Sequence, residues 1–272
     1  MLGTAVVAHW RRRQQPVLGL SRGQADVTDR GRLGEWMRSF LPEIVVNCAA
    51  FTQVDRCETE RERALAVNGD AVANVVDAAR EVAARVIHVS SDYVFDGQAG
   101  APYTEDAVTA PRSAYGESKL RGEEEALSDP RALVLRSSWL FGPGGPNFVA
   151  TIRRLLAEGQ DPLRVVDDQV GRPTYTPFLA RAIWDLARLD LCGIVHYGNR
   201  EAVSWHGFAT EIARVVAPDA RVLPVPTSEF PRPAQRPAYS VLDTRLFETA
   251  VGRRVETWIS GLAAYLQLGE RS

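Results

Sequence analysis

Val86-Ile87-His88-Val89-Ser90-Ser91-Asp92-Tyr93-Val94-Phe95 is an apolar run that turns polar at Ser90. A short continuous run rich in β-branched residues reads as a strand buried on both faces, as in parallel sheets. Such sheets bind ligands at the carboxyl ends of their strands, so Ser90 and Ser91 fall where chemistry is done. The plainer alternative is that these hydroxyls satisfy loop backbone. Outward from this stretch, similar runs recur at Val17–Leu20, Ile44–Cys48, Leu133–Arg136, Leu163–Val166 and Gly193–Tyr197. Helical patterns lie between them, at Gly31–Phe40, Arg61–Ala84, Tyr115–Ala126, Asn147–Ala157 and Pro177–Leu189. Short buried strands alternating with helices predict an α/β fold with a doubly wound parallel sheet. After Tyr197 the rhythm changes: helical patterns at Ser204–Val216 and Val255–Leu268 flank the Pro-rich stretch Pro218–Pro237. The expected organisation is a sheet domain over 1–200 and a smaller C-terminal lobe over 201–272.

At the front, Leu2, Val6, Val7 and Trp10 share one helical face, and the basic run Arg11–Arg13 follows. Cations at a helix C-terminus suit its dipole, so a helix is expected here, with a strand over Thr4–Trp10 as the alternative. The 272 residues are 45% hydrophobic and 24% charged, a globular composition. No apolar run reaches the ~18 residues of a membrane span, and no apolar secretion signal is visible. A net charge of −2 without a basic stripe argues against nucleic acid as a partner. Cys48, Cys57 and Cys192 lack metal spacing, and His9, His88, His196 and His206 are isolated. Each histidine reads as a core or surface residue, and the whole as a cytoplasmic protein without a metal site.

Of 32 basic residues, all but Lys119 are arginine. A lone lysine marks a position where an ammonium serves and a guanidinium does not, unless it is a chance survivor. Lys119 closes Tyr115-Gly116-Glu117-Ser118-Lys119, and a spacing of four puts Tyr115 and Lys119 on one helical face. A phenol titrates near ~10 and needs a neighbouring cation or donor to exchange protons at neutral pH. Tyr115, Lys119 and the Ser91 hydroxyl therefore form the candidate catalytic set.

Ser91–Tyr93 with Tyr115 and Lys119 resembles the catalytic set of the extended short-chain dehydrogenases/reductases. More narrowly, the chain resembles the dTDP-4-dehydrorhamnose reductase family. The matching stretches are Asn47–Asp55, Ser90–Gly97, Tyr115–Lys119, Arg136–Trp139, Asn147–Phe148, Asp168–Thr174, Ser204–Trp205 and Ala234–Leu242. The resemblance implies a Rossmann-type sheet with a substrate-binding lobe. It implies NADPH as cofactor, with NADH as the alternative, and a nucleotide-linked 4-keto-6-deoxyhexose as substrate. Tyr115 would protonate the developing alkoxide, Lys119 would lower the Tyr115 pKa and hold the nicotinamide ribose, and Ser91 would polarise the carbonyl. The family usually carries Thr at the Ser91 position, so the hydroxyl is kept. Gly3, Arg22, Asp26, Val27, Asn47, Ala49, Ala50 and Thr52 match cofactor-side positions, Arg22 where a cation favours a 2′-phosphate. Val54, Tyr93, Trp139, Asn147, Arg172 and Arg236 match substrate-side positions, Trp139 as a flat wall for the sugar and the two arginines for the diphosphate. Some relatives form homodimers.

Two other readings share the fold. A dehydratase would place Glu after Asp92 where this chain has Tyr93, which argues against dehydration and leaves epimerisation. The regulatory β-subunit of methionine adenosyltransferase resembles the same family with a similar Ser/Tyr/Lys set and makes a non-catalytic subunit the third reading. Relatives open with a strand and a Gly-rich turn, and Met1-Leu2-Gly3 matches the end of that turn; about ten residues of the pattern are missing. Gly142–Gly145 (GPGG) is no substitute, because proline removes an amide donor. The expectation is that the chain as written binds cofactor poorly and is unstable.

Overall fold

The computed structural model describes residues 1–269. Its helices are α1 (Leu2–Arg12), α2 (Arg30–Phe40), α3 (Val54–Thr59), α4 (Arg61–Ala64), α5 (Ala71–Glu81), α6 (Ala114–Leu127), α7 (Phe148–Ala157), α8 (Thr176–Ala187), α9 (Trp205–Val216), α10 (Arg245–Val251) and α11 (Trp258–Gly269). Its strands are β1 (Ile44–Asn47), β2 (Arg85–Ser91), β3 (Leu133–Ser137), β4 (Leu140–Phe141), β5 (Leu163–Val166), β6 (Val170–Gly171), β7 (Thr174–Tyr175), β8 (Gly193–His196), β9 (Val203–Ser204) and β10 (Val222–Val225). Strands β1, β2, β3 and β8 make one parallel sheet in that order. The register sets Asn47 beside His88 and Ser91 beside Ser137, so polar residues gather at the carboxyl ends.

Apolar side chains alternate across the sheet as its pleat requires. Ile87, Leu133, Leu135 and Val195 meet Leu2 and Val6 of α1 and Leu179 and Ile183 of α8. Val86 and Val134 point the other way, onto Leu33 and Met37 of α2 and Val72, Val75 and Val76 of α5. Each such side chain contributes about 1.5–3 kcal/mol when fully buried. The front of the chain is helical, with Leu2, Val6 and His9 inward and His9, Arg11 and Arg12 in the last turn, so the strand alternative falls.

Three expectations are corrected. Val17–Leu20 forms no strand. Strands exist by pairing, and β1 pairs only with β2 while Gly19 lies against Val7 of α1, leaving Leu18 and Leu20 exposed. The helix expected over Arg61–Ala84 is α4, a π-helical turn over Leu65–Asp70 and α5, which stops at Glu81. The turn carries Asn68, whose amide is claimed by Phe51 and Ser118, the kind of side-chain demand that a π-bulge accommodates. Leu163–Val166 is a strand, but it pairs in parallel with β10 outside the main sheet.

That second pair belongs to the lobe, whose core joins Phe141, Val149, Ile152, Leu163 and Val165 to Phe208, Ile212, Trp258 and Leu262. The lobe is therefore built from segments on both sides of β8 rather than from 201–272 alone. No helix among the described residues is long and apolar enough to cross a membrane.

Candidate active site

Helix α6 starts where Ser113 accepts the Gly116 amide through its Oγ at 3.2 Å, a serine N-cap. This start seats Tyr115 half-buried at the mouth of the sheet, its ring edge-on to Tyr93 at 5.4 Å. A Cβ at Gly116 would overlap the Tyr93 carbonyl oxygen, so only glycine lets α6 approach the loop after β2 this closely. Ser91 ends β2 with its Oγ donating to Asp92 Oδ1 at 3.0 Å and accepting the Tyr93 amide at 3.3 Å. Burial drives the Tyr115 phenol upward, and its hydrogen bond with Ser91 pulls it back down. Lys119 is 1% exposed and donates its Nζ to the Val89 carbonyl at 2.7 Å. Burial lowers it to about 8, against the raising influence of Glu123 and Cys48. Ser91 thus meets Tyr115 and is the neighbour that favours the phenolate, while Lys119, one turn further along α6, has its amine anchored on β2.

Asn47 turns its Oδ1 to the Ala49 amide at 3.1 Å, shaping the turn after β1. Beyond it the Phe51 amide donates to Asn68 Oδ1 at 2.7 Å, and Asn68 Nδ2 reaches Ser118 Oγ of α6 at 3.0 Å. Ala49, Ala50 and Thr52 are held in this way at the carboxyl end of β1, where the cofactor groove is expected. The first residues of α1 lie beside it, with the Cβ position of Gly3 3.7 Å from Cys48 Cβ. Further out, exposed Arg22 donates to Asp26 Oδ2 at 2.9 Å, Asp26 Oδ1 accepts Thr28, and the Val27 carbonyl accepts Asn74.

On the other side, Val54 opens α3, and Asp55 pairs with Arg236 at 3.0 Å. Arg236 Nη1 is buried without a partner, and its charge acts on Tyr93 nearby. Trp139 lies flat on Trp205, ring centroids 3.4 Å apart and planes 3° from parallel, with no room for a Cβ at Gly171 beneath it. Two expected residues are placed differently. Asn147 caps α7 through the Ala150 amide, and its Nδ2 donates to Gly142, Gly145 and Tyr265, so its polar capacity is spent on structure. Arg172 bonds Thr244 at 3.3 Å and lines a cavity of about 290 Å³ with Arg200, Arg245 and Arg254, a lining that includes neither Tyr115 nor Arg236.

A family model described as the RmlD substrate binding domain matches residues 1–270. The chain belongs to that family. The dTDP-4-dehydrorhamnose reductase of Streptomyces griseus is 40% identical over 271 residues, which span 96% of this chain and 88% of that protein. The crystal structure of a dTDP-4-dehydrorhamnose reductase from Clostridium acetobutylicum has a TM-score of 0.95 at 37% identity, covering 99% of this chain and 96% of that one. The Bacillus anthracis dTDP-4-dehydrorhamnose reductase, solved in complex with NADP, gives 0.92 at 32% identity, covering 97% and 94%.

In this RmlD-family chain the groove's donor set fits a dinucleotide. The first turn of α1 has no side-chain cap, so its amides are open to phosphate. Ala49 and Ala50 let a ligand approach the backbone, and Lys119 and Tyr115 stand at the reacting end. Sequence reasoning passed over His88, Asn68, Asp92 and Asp55. His88 is wholly buried between Asn47 and Lys119, and the signal for it was a histidine inside an apolar strand beside the lone lysine's helix.

Proposed function

We propose that the protein reduces the C4 ketone of a dTDP-linked 4-keto-6-deoxyhexose, with NADPH as the reductant. The observation that carries this reading is the hydrogen bond between Ser91 and Tyr115 at the carboxyl end of β2, with Lys119 one turn further along α6, in a chain whose curated relatives are sugar-nucleotide reductases. NADPH, when bound, supplies the hydride. Tyr115 gives its phenolic proton to the oxygen that becomes an alkoxide, and Ser91 steadies that oxygen with a hydrogen bond. The Ser91 proton rests on Asp92 in the free protein and turns to the carbonyl when the sugar arrives. Lys119 holds a ribose, and the Ser91 hydrogen bond keeps the phenolate accessible. Trp139 walls the sugar, and Arg236, with its unpaired Nη1, takes the diphosphate.

The test is NADPH consumption with dTDP-4-dehydrorhamnose, followed by the absorbance of the reduced nicotinamide. Tyr115→Phe is expected to lose ~10²–10⁴-fold in kcat with the fold intact, the usual weight of a general acid. Full activity in that variant overturns the assignment.

A further inference from the structure

The His88 ring lies between two hydrogen-bond donors. Asn47 Nδ2 is 3.1 Å from its Nδ1, and Lys119 Nζ is 3.4 Å from its Nε2. The Asn47 amide cannot be turned round, because its Oδ1 accepts the Ala49 N–H. A neutral imidazole has one acceptor nitrogen and one N–H. If Nδ1 accepts from Asn47, then Nε2–H faces Lys119, which must present the lone pair of a neutral amine. If Lys119 is an ammonium, Nε2 must accept, and Nδ1–H then opposes the Asn47 N–H. All three groups are buried, so neither mismatch is relieved by water.

We propose that His88 is a positioning residue whose single acceptor nitrogen is contested by Lys119 and Asn47, so that each change of charge on Lys119 switches the His88 tautomer and is felt at Asn47 in the wall of the groove. The inference deepens the reductase reading and rests on it for its catalytic meaning. His88 stays a neutral ring throughout, because burial and the Lys119 charge both depress its own titration. The groups facing Lys119 are His88 and the Val89 carbonyl from β2, Cys48 after β1, and Glu123 from its own helix, with Tyr115 one turn before it on that helix. Of these, His88 is the one whose exchange of donor for acceptor is passed on through a second ring nitrogen, to Asn47. Protonating Lys119 therefore costs the Asn47–His88 bond, which adds to burial in holding its titration near neutrality.

The experiment is ¹⁵N NMR of the histidine-labelled full chain, titrated from about pH 6 to pH 10. The expected result is a neutral His88 whose proton moves from Nδ1 to Nε2 as Lys119 loses its charge, with a midpoint near the 8 of Lys119. One tautomer across the whole range overturns the proposal, and this readout needs no turnover. A chain that switches tautomer but consumes no NADPH refutes the reductase reading while the coupling stands. In His88→Gln one carbonyl oxygen accepts from Asn47 and Lys119 alike, so the contest ends. The basic limb of its kcat/KM profile is expected to move up by about one pH unit, a tenfold change in the Lys119 dissociation constant. A folded His88→Gln with an unmoved limb overturns the proposal; should the variant not fold, the wild-type titration decides.

Discussion

Glu123 and Arg136 form an ion pair whose side chains are each 2% exposed, and removing one partner is the sharpest perturbation the core offers. Glu123 Oε1 accepts from Ser90 Oγ at 2.5 Å and Arg136 Nε at 2.8 Å, while Oε2 accepts Arg136 Nη2 at 2.6 Å. The guanidinium also lies 4.9 Å from the Phe95 ring centre and 3.4 Å from His196 Nε2. Glu123→Ala deletes the only carboxylate among the described residues that is hydrogen-bonded to this guanidinium and strands its charge between β2, β3 and α6. Breaking a buried pair from one side costs about 3–5 kcal/mol, and Ser90 loses its acceptor as well. In a chain of this length each kcal/mol is worth roughly 2–4 °C, so thermal unfolding followed by circular dichroism is expected to fall by about 6–20 °C. Replacing both partners with methionine removes the stranded charge and is expected to recover most of the loss. A Glu123→Ala change below about 1 kcal/mol, or a double variant no more stable than the single one, refutes the reasoning.

Two further outcomes follow from the site. Gly116→Ala puts a Cβ into the Tyr93 carbonyl, so α6 must shift; a stability loss of about 1–3 kcal/mol and a lower kcat are expected, read by urea denaturation and NADPH consumption. Burial raises the Asp92 carboxyl from 3.8 to about 6, so the folded state binds the proton more tightly than the unfolded chain does. Its stabilising contribution is then complete below the unfolded value and is lost as pH rises through about 6, on the order of 3 kcal/mol. Asp92→Asn is expected to flatten this component when its denaturation midpoints are compared with wild type from pH 4 to 7, and parallel profiles would contradict it.

The main sheet was legible because its central strands β2 and β3 are buried on both faces, which leaves an apolar signature. Tyr115 and Lys119 were legible because four-residue spacing needs only a helix to bring them together. Val17–Leu20 carries the same apolar signature, yet a strand depends on a neighbour that its own residues do not announce. The parallel partner of β5 was hidden for a related reason: Val222–Val225 lies in a Pro-rich stretch with no helical rhythm around it. Asn147 and Arg172 show that matching a motif position does not say which bonds a side chain has already made. His88 was hidden because an isolated histidine in an apolar strand is most often a satisfied core residue, and only the sheet register reveals the two donors on its ring.

Helix α6 links these features through one arithmetic. Tyr115, Lys119 and Glu123 follow at intervals of four along one face, so the helix descends from the mouth of the groove into the core. The glycines beside them let it descend closely: Gly116 against the Tyr93 carbonyl, and Gly122 against the Asn68 carbonyl, each without room for a Cβ. Charge is graded along the same face. Glu123 raises the titration of Lys119, but its carboxylate is also bonded twice by Arg136, and burial prevails, leaving the amine at about 8. Removing Arg136 alone would leave Glu123 uncompensated and free to hold the lysine proton more tightly. The ion pair that stabilises the core therefore also acts on the titration of Lys119, through the same helix that carries Tyr115.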